Sequence, residues 1–63
     1  SMAHIEKRAR REGMKELFVL TTRTAHWFLE QGFEKASVDE LPNARQALYN
    51  YQRNSLVCKK LLD

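Results

Sequence analysis

The chain has 63 residues, 43% of them hydrophobic and 30% charged, a composition typical of one small globular domain and not of a disordered segment. Its formal net charge of +3 makes nucleic acid and acidic small molecules partners to consider. The single cysteine, Cys58, excludes an internal disulfide, and no apolar run approaches the roughly 18 residues of a membrane span. We therefore expect a cytoplasmic chain with neither a bound metal nor a membrane partner.

The first predicted element is a helix that begins near the start of the chain. Met2, Ile5 and Ala9 recur at the spacing of one helical face, and Gly13 stands where a left-handed cap would end the helix. In such an ending, a Schellman motif, Ala9 and Met14 occupy the two positions that touch. This segment is rich in basic residues: Lys7, Arg8, Arg10, Arg11 and Lys15. They predict either a solvated helix face or an anion-binding surface.

A short apolar run, LFVL, ends on threonine hydroxyls and is followed by an aromatic segment. We predict a strand over residues 15–21, buried on both faces as in layered α/β structures. Hydroxyls at the carboxyl end of such a strand lie where ligands bind. A second helix would begin near Thr22, with a threonine as its cap, and end at Gly32. The same type of ending pairs Phe28 with Phe33.

The remaining sequence predicts a weak strand, a third helix and a last strand. The weak strand covers residues 34–38, and Pro42 suits the first turn of the helix that follows. One side of that helix is apolar: Leu41, Ala44, Leu48 and Tyr51. The stretch SLVCKKLL supplies the last strand, at about residues 55–61. Helices alternating with strands predict one α+β (α/β layered) unit over residues 1–63, and they disfavour a helix-turn-helix DNA reader.

Three stretches carry a resemblance to a known family. ARREGMKELFVLTTRTAHWFLEQGF resembles the central to C-terminal part of the GNAT acetyltransferase fold, where A-R-x-x-G is followed by a strand and then by W-F-x-x-x-G-F. Together with the later motifs DELP and LYNYQRNS, it resembles the bacterial N-acetylglutamate synthases, which are amino-acid N-acetyltransferases. The resemblance covers about residues 3–61.

The resemblance implies that the chain is the C-terminal part of a GNAT domain with a three-stranded mixed sheet. In that fold the last strand inserts between the other two and runs antiparallel to both. The implied reaction transfers acetyl from acetyl-CoA to the α-amine of L-glutamate, the first step of arginine biosynthesis. The family's glycine-rich pyrophosphate loop and its expected base precede these motifs, so we expect the 63 residues alone to be inactive. We also expect a homo-oligomer, because a cut sheet leaves an unpaired strand edge.

The resemblance also assigns site residues. Thr21 matches the position at the strand end where a hydroxyl serves the leaving thiolate of CoA; the alternative is that Thr21 and Thr22 only cap the second helix. Arg45, Arg53 and Ser55 match positions expected to bind glutamate, whose carboxylates suit arginine. The residues expected along the pantetheine and thiol end of CoA are Thr22, Thr24, Trp27 and Phe28. The two aromatic members of this set are also predicted packing residues.

Two alternative functions fit the sequence. One is a non-catalytic acyl-CoA-binding module with a GNAT-like fold, which affinity for acetyl-CoA without turnover would support. The other is a small basic nucleic-acid-binding protein, which a steep salt dependence of DNA or RNA binding would support. The motifs favour the enzyme, with L-glutamate and acetyl-CoA as its ligands and without nucleic acid as a partner.

Overall fold

The computed structural model describes the backbone of residues 1–51 and 54–63 and the side chains of residues 1–50 and 54–63. Helices and strands alternate along the chain, as the sequence predicts. The helices are α1 (Met2–Arg11), α2 (Ala25–Glu30) and α3 (Asn43–Tyr51), and the strands are β1 (Glu16–Thr21), β2 (Glu34–Ala36) and β3 (Leu56–Leu61). A 3₁₀ helix, Val38–Glu40, lies between β2 and α3.

α1 ends in the Schellman motif that the sequence predicts. Gly13 has a left-handed backbone with φ of +79°. The Gly13 amide donates to Arg10 O at 3.0 Å, and the Met14 amide donates to Ala9 O at 3.0 Å. Glycine takes this position because a Cβ disfavours positive φ. The ending turns the chain directly into β1.

α2 has the predicted ending but a different start. Gly32 has φ of +93°, and the Phe33 amide donates to Phe28 O at 3.1 Å, so the second Schellman motif is confirmed. The Phe28 and Phe33 rings pack edge to face with their centroids 5.5 Å apart, which is the apolar contact expected of such an ending. The helix begins later than predicted: its N-cap residue is Thr24, whose side chain makes no capping hydrogen bond.

The three strands form one sheet in the order β1-β3-β2. As predicted, β3 pairs antiparallel with both neighbours, with Thr21 opposite Leu56 and Ala36 opposite Val57. Because both pairings are antiparallel, the described sheet is antiparallel and not mixed, which corrects that part of the prediction. β2 is shorter than predicted because the 3₁₀ helix begins at Val38.

Two adjacent lysines of β3 show how the helices are distributed over the sheet. Successive residues of a strand point to opposite faces. Lys60 Nζ donates to Glu6 Oε2 of α1 at 3.0 Å and to Gln31 O, just after α2, at 2.7 Å. Lys59 Nζ instead pairs with Glu40 of the 3₁₀ helix. α1 and α2 therefore lie on one face of the sheet, and the segment leading into α3 lies on the other.

The buried core surrounds the middle strand. Its apolar members are Ala9, Phe33, Leu41, Val57, Cys58 and Leu62. β1 is less buried than predicted: residues 17–21 are half-buried, because β1 lies at the edge of the described sheet and pairs with one strand only. Leu41, predicted on the apolar side of the third helix, is buried but lies just before α3, and Leu48 within α3 is 51% exposed.

Candidate functional site

The hydroxyl of Thr21, at the carboxyl end of β1, organises the loop between β1 and α2. Its Oγ1 accepts hydrogen bonds from the Arg23 amide at 3.2 Å and from the Thr24 amide at 3.1 Å. It also lies 3.2 Å from Thr24 Oγ1. A threonine oxygen offers two acceptor lone pairs and one donor hydrogen. With both amides bound, the Thr21 hydrogen is left to donate, either to Thr24 Oγ1 or to a ligand.

The three threonines of this loop differ in what their hydroxyls do. Thr22 and Thr24 are exposed, whereas Thr21 is half-buried. The expected capping role is therefore corrected in one respect: the hydroxyl that holds backbone amides belongs to Thr21, and Thr22 makes no side-chain hydrogen bond among the described residues. Thr21 performs this role because β1 pairs with β3 up to Thr21, which leaves the next amides without strand partners.

The aromatic residues of α2 form a short chain of edge-to-face contacts. Trp27 and Phe28 have ring centroids 4.9 Å apart at an interplanar angle of 85°, and Phe28 continues to Phe33. Phe33 is buried and Phe28 is half-buried, whereas Trp27 is 46% exposed. Phe28 thus anchors the helix, as its expected packing role requires, and Trp27 is the more exposed of the two rings.

Ser55 lies beside the same end of the sheet as Thr21. It immediately precedes Leu56, the residue that pairs with Thr21. Ser55 is buried, and its Oγ has no hydrogen-bond partner within the part of the chain that the structure describes. A buried hydroxyl without a partner is uncommon in proteins, so the Ser55 Oγ lacks the hydrogen bond that usually compensates for burial. Arg53, the neighbouring predicted glutamate ligand, lies outside the described residues.

Arg45 lines a pocket of about 440 Å³ between β1 and α3. The walls are mostly apolar and include Phe18 and Leu20 from β1 and Leu41 just before α3. Arg45 makes no ion pair among the described residues, and it is the one lysine or arginine among the described residues that line this mainly apolar pocket. The pocket includes Leu20 but not Thr21, whose side chain points to the opposite face of the strand. Arg45 and the threonine loop are therefore neighbouring but separate parts of the candidate site.

Glu40, to which the sequence motifs assign no site role, fixes the entry to α3. Ser37 Oγ accepts a hydrogen bond from the Asp39 amide at 3.2 Å, and Glu40 Oε2 accepts one from the Ser37 amide at 2.9 Å. Together these two hydrogen bonds form a capping box. The other carboxylate oxygen of Glu40 pairs with Lys59. The spacing Ser-x-x-Glu in SVDE is the signature of this motif and would have identified it.

Ion pairs neutralise part of the basic charge of α1. Arg8 pairs with Glu12 at 3.0 Å, and Arg10 pairs with Asp63 at 2.9 Å and with Glu6 at 3.5 Å. The remaining cations of this segment, Lys7, Arg11 and Lys15, are exposed. The pattern favours a solvated face with interspersed charges over a dedicated anion surface.

Two further kinds of functional feature are absent from the described residues. No group of three or more histidine, cysteine, aspartate or glutamate side chains in this part of the chain is arranged to hold a metal ion. None of the described helices has the length and apolar character needed to cross a membrane.

No model of a protein family matches the chain, but its sequence is similar to those of curated amino-acid acetyltransferases. It is 66% identical to that of Ectopseudomonas mendocina (strain ymp) and 64% identical to that of Pseudomonas syringae pv. syringae, over 61 residues in each case. These matches cover 97% of the chain and 14% of each relative. The chain thus spans about one seventh of the length of the curated relatives it matches.

The fold is similar to that of a segment of N-acetylglutamate synthase from Neisseria gonorrhoeae. The structure of that enzyme complexed with coenzyme A and N-acetyl-glutamate matches 98% of the chain with a TM-score of 0.92 and 44% identity, over 15% of its own length. Its structure with coenzyme A and L-arginine matches with a TM-score of 0.86 and 46% identity. By sequence and by fold, the 63 residues correspond to one segment of the curated amino-acid acetyltransferases and of the N. gonorrhoeae N-acetylglutamate synthase.

Proposed function

We propose that the chain forms part of an enzyme that transfers acetyl from acetyl-CoA to the α-amine of L-glutamate, the first step of arginine biosynthesis. The observation that carries the proposal is the close likeness, in sequence and fold together, to an N-acetylglutamate synthase solved with coenzyme A and N-acetyl-glutamate. We further propose that the whole enzyme works in the cytoplasm as a homo-oligomer. Nucleic acid is not part of the proposal, since two α1 arginines are already paired.

Thr21 serves the leaving group in the proposed reaction. The glutamate amine attacks the thioester carbonyl carbon, a carbon–nitrogen bond forms, and the nitrogen gives up one proton to a base. The carbon–sulfur bond breaks, and the sulfur of CoA takes up one proton, so the proton count balances. The Thr21 hydroxyl donates its hydrogen toward that sulfur. Its geometry supports this role, because the amides of Arg23 and Thr24 occupy the oxygen lone pairs and orient the hydroxyl.

Arg45, Arg53 and Ser55 bind glutamate in the proposed site. A guanidinium at a mainly apolar pocket forms a strong, charge-assisted interaction with a carboxylate, and Arg45 has that setting. The buried Oγ of Ser55, which lacks a partner among the described residues, supplies a further hydrogen bond. The role of Arg53 rests on the sequence motif alone.

Acetyl-CoA lies along α2 in the proposed complex. Trp27 presents a half-exposed indole to the pantetheine arm, and Phe28 packs edge to face against that indole at a centroid distance of 4.9 Å. Thr22 and Thr24 contribute hydroxyls at the start of the same helix, next to Thr21. Thus the CoA side of the site is built on α2 and the glutamate side on α3 and β3.

The test is a chimeric enzyme in which these residues replace the matching segment of the N. gonorrhoeae N-acetylglutamate synthase. We expect the chimeric enzyme to form N-acetylglutamate from acetyl-CoA and glutamate. Arg53→Ala should raise the glutamate KM far more than the acetyl-CoA KM, since a lost charge-assisted contact costs about 1.5–3 kcal/mol. A folded chimeric enzyme without turnover would contradict the proposal, and binding of acetyl-CoA without turnover would favour the non-catalytic module.

A further inference from the structure

Lys60 is the one residue of β3 whose side chain hydrogen-bonds to both helical segments on its face of the sheet, among the described residues. Its Nζ donates to Glu6 Oε2 in the middle of α1 and to Gln31 O at the end of α2. Backbone carbonyls in the last turn of a helix have no helical partner, so Lys60 satisfies one that would otherwise need water. A single ammonium group therefore connects α1, α2 and the central strand.

Gly32 shows how closely the Lys60 side chain lies against the end of α2. A Cβ built at Gly32 would be 3.2 Å from both Cε and Nζ of Lys60. Glycine at this position therefore meets two requirements, the positive φ of the Schellman motif and the space occupied by Lys60. The lysine side chain is held against the backbone, and does not extend freely into solvent.

The carboxylate that receives Lys60 is buried and is supported from its other side. Glu6 is only 7% exposed. Its second oxygen lies 3.5 Å from Arg10, which in turn pairs with Asp63 after β3. A buried charge is costly without partners, and removing one partner leaves the other uncompensated. The arrangement therefore constrains where α1 and α2 lie relative to β3.

We propose that Lys60 is a positioning residue for the acyl-CoA side of the site. By binding both Glu6 and Gln31 O, it fixes α2, and with it Trp27 and Thr24, against α1 and the sheet. Lys59, the adjacent residue on the opposite face, fixes the entry to α3 through Glu40 and serves the glutamate side. This inference rests on the proposed function for the identity of the two ligands. Its structural basis is that Lys60 and Lys59 bind different segments on opposite faces of the sheet.

The chimeric enzyme tests this with Lys60→Met, which keeps an unbranched side chain of similar length but removes the charge and all donors. We expect the acetyl-CoA KM to rise about fivefold to tenfold, with the glutamate KM changed less than twofold. Lys60→Arg should restore most of the loss. Lys59→Met is the matched control, and it should leave the acetyl-CoA KM within twofold of the unsubstituted enzyme.

Glu6→Gln provides a second route if Lys60→Met lowers the yield of folded protein. It removes the carboxylate charge at constant shape, and it should raise the acetyl-CoA KM in the same direction. A calorimetric titration with CoA measures the affinity for CoA without turnover. An inactive chimeric enzyme would therefore contradict the proposed function, but its affinity for CoA would still test the role of Lys60. Folded Lys60→Met and Glu6→Gln variants with unchanged affinity for CoA, or equal effects on both substrates, would overturn the inference.

Discussion

Glu40 and Lys59 form an ion pair that joins the 3₁₀ helix to β3, on the sheet face opposite the contacts of Lys60. The other oxygen of the same carboxylate accepts the Ser37 amide at 2.9 Å. The hydrogen bond from Lys59, and next that from the Ser37 amide, lower the pKa of Glu40, and Glu40 in turn raises the pKa of Lys59. One carboxylate thus fixes the 3₁₀ helix and its attachment to the sheet just before α3 begins.

The stability of the 63-residue chain should therefore depend on pH through this pair. A lowered folded-state pKa means that Glu40 stabilises the fold above roughly pH 4 and loses this contribution as the pH falls through the folded pKa. A raised pKa means that Lys59 stabilises the fold below roughly pH 10 and loses this contribution as the pH rises through the folded pKa. We expect Glu40→Gln to lower Tm near pH 7 and to flatten both flanks of the Tm profile.

Thermal melts from pH 2 to pH 11, at one chain concentration, measure this profile. Asp63 is the competing acidic group, because a backbone hydrogen bond and then Arg10 lower its pKa as well. Asp63→Asn is therefore the matched control for the acid flank. An acid flank that is unchanged in Glu40→Gln and lost in Asp63→Asn would contradict the role of Glu40.

Alanine substitutions at Gly32 and Gly13, compared with each other, measure how much unfolding free energy the contact with Lys60 adds to the cost at Gly32. Both glycines have positive φ, but a Cβ at Gly13 would meet no atom within 4 Å, whereas one at Gly32 would meet Lys60 at 3.2 Å. Gly13→Ala should cost about 1–2 kcal/mol of unfolding free energy from backbone strain alone. Gly32→Ala should cost a further ~1 kcal/mol, because it displaces a held side chain. Urea unfolding of both variants measures the difference, and equal costs would show that Lys60 moves away freely.

Local sequence rules predicted both helix endings but could not choose among neighbouring side chains with the same chemistry. The endings at Gly13 and Gly32 depend only on a glycine at a fixed offset from a helical stripe. Thr21 and Thr22 are equally able to hold amides by such rules, and the choice depends on where pairing with β3 stops. That limit is set by residues more than thirty positions away, which no local window contains.

Local sequence rules also could not predict the surroundings of Arg45 or the sheet faces on which Lys59 and Lys60 lie. Lys59 and Lys60 look like one solvated basic pair in the sequence, and only the strand geometry assigns them to opposite faces. The setting of Arg45 depends on how α3 lies over β1, so its motif identified the residue but not its surroundings. The Ser37 capping box, by contrast, was readable from SVDE.

Thr21→Val in the chimeric enzyme should lower kcat about 100-fold with little change in the glutamate KM. A positioned proton donor contributes roughly 10²–10⁴ in rate, and valine keeps the shape of threonine without its hydroxyl. Thr21→Ser keeps the hydroxyl and should retain most of the rate. Thr22→Val is the control for a nearby exposed threonine, and steady-state kinetics of all three variants make the comparison. Equal losses in Thr21→Val and Thr21→Ser would indicate a packing role for Thr21.

Arg45→Ala should raise the glutamate KM about 10-fold to 100-fold, corresponding to the loss of one charge-assisted contact. The acetyl-CoA KM should stay within about twofold. The reason is that the proposed CoA residues lie on α2, on the sheet face opposite the pocket that Arg45 lines. Arg23→Ala, in the exposed loop before α2, is the matched control for removing one positive charge. A rise in glutamate KM of the same size in both variants would show that general electrostatic attraction, and not the pocket, is responsible.

A polypeptide of these 63 residues should self-associate through β1 or remain a loosely ordered monomer. β1 is six residues long, pairs with β3 along one edge only within the described sheet, and carries an apolar sequence. Unpaired backbone donors and acceptors on such an edge recruit another strand. Met14 and Leu48, which are 50% and 51% exposed beside the pocket, add apolar surface that association would cover.

Analytical ultracentrifugation over a hundredfold concentration range, with amide exchange of β1 at the lowest and highest concentrations, measures both outcomes. A strictly monomeric chain at the highest concentration, with slow exchange throughout residues 17–20, would contradict the prediction.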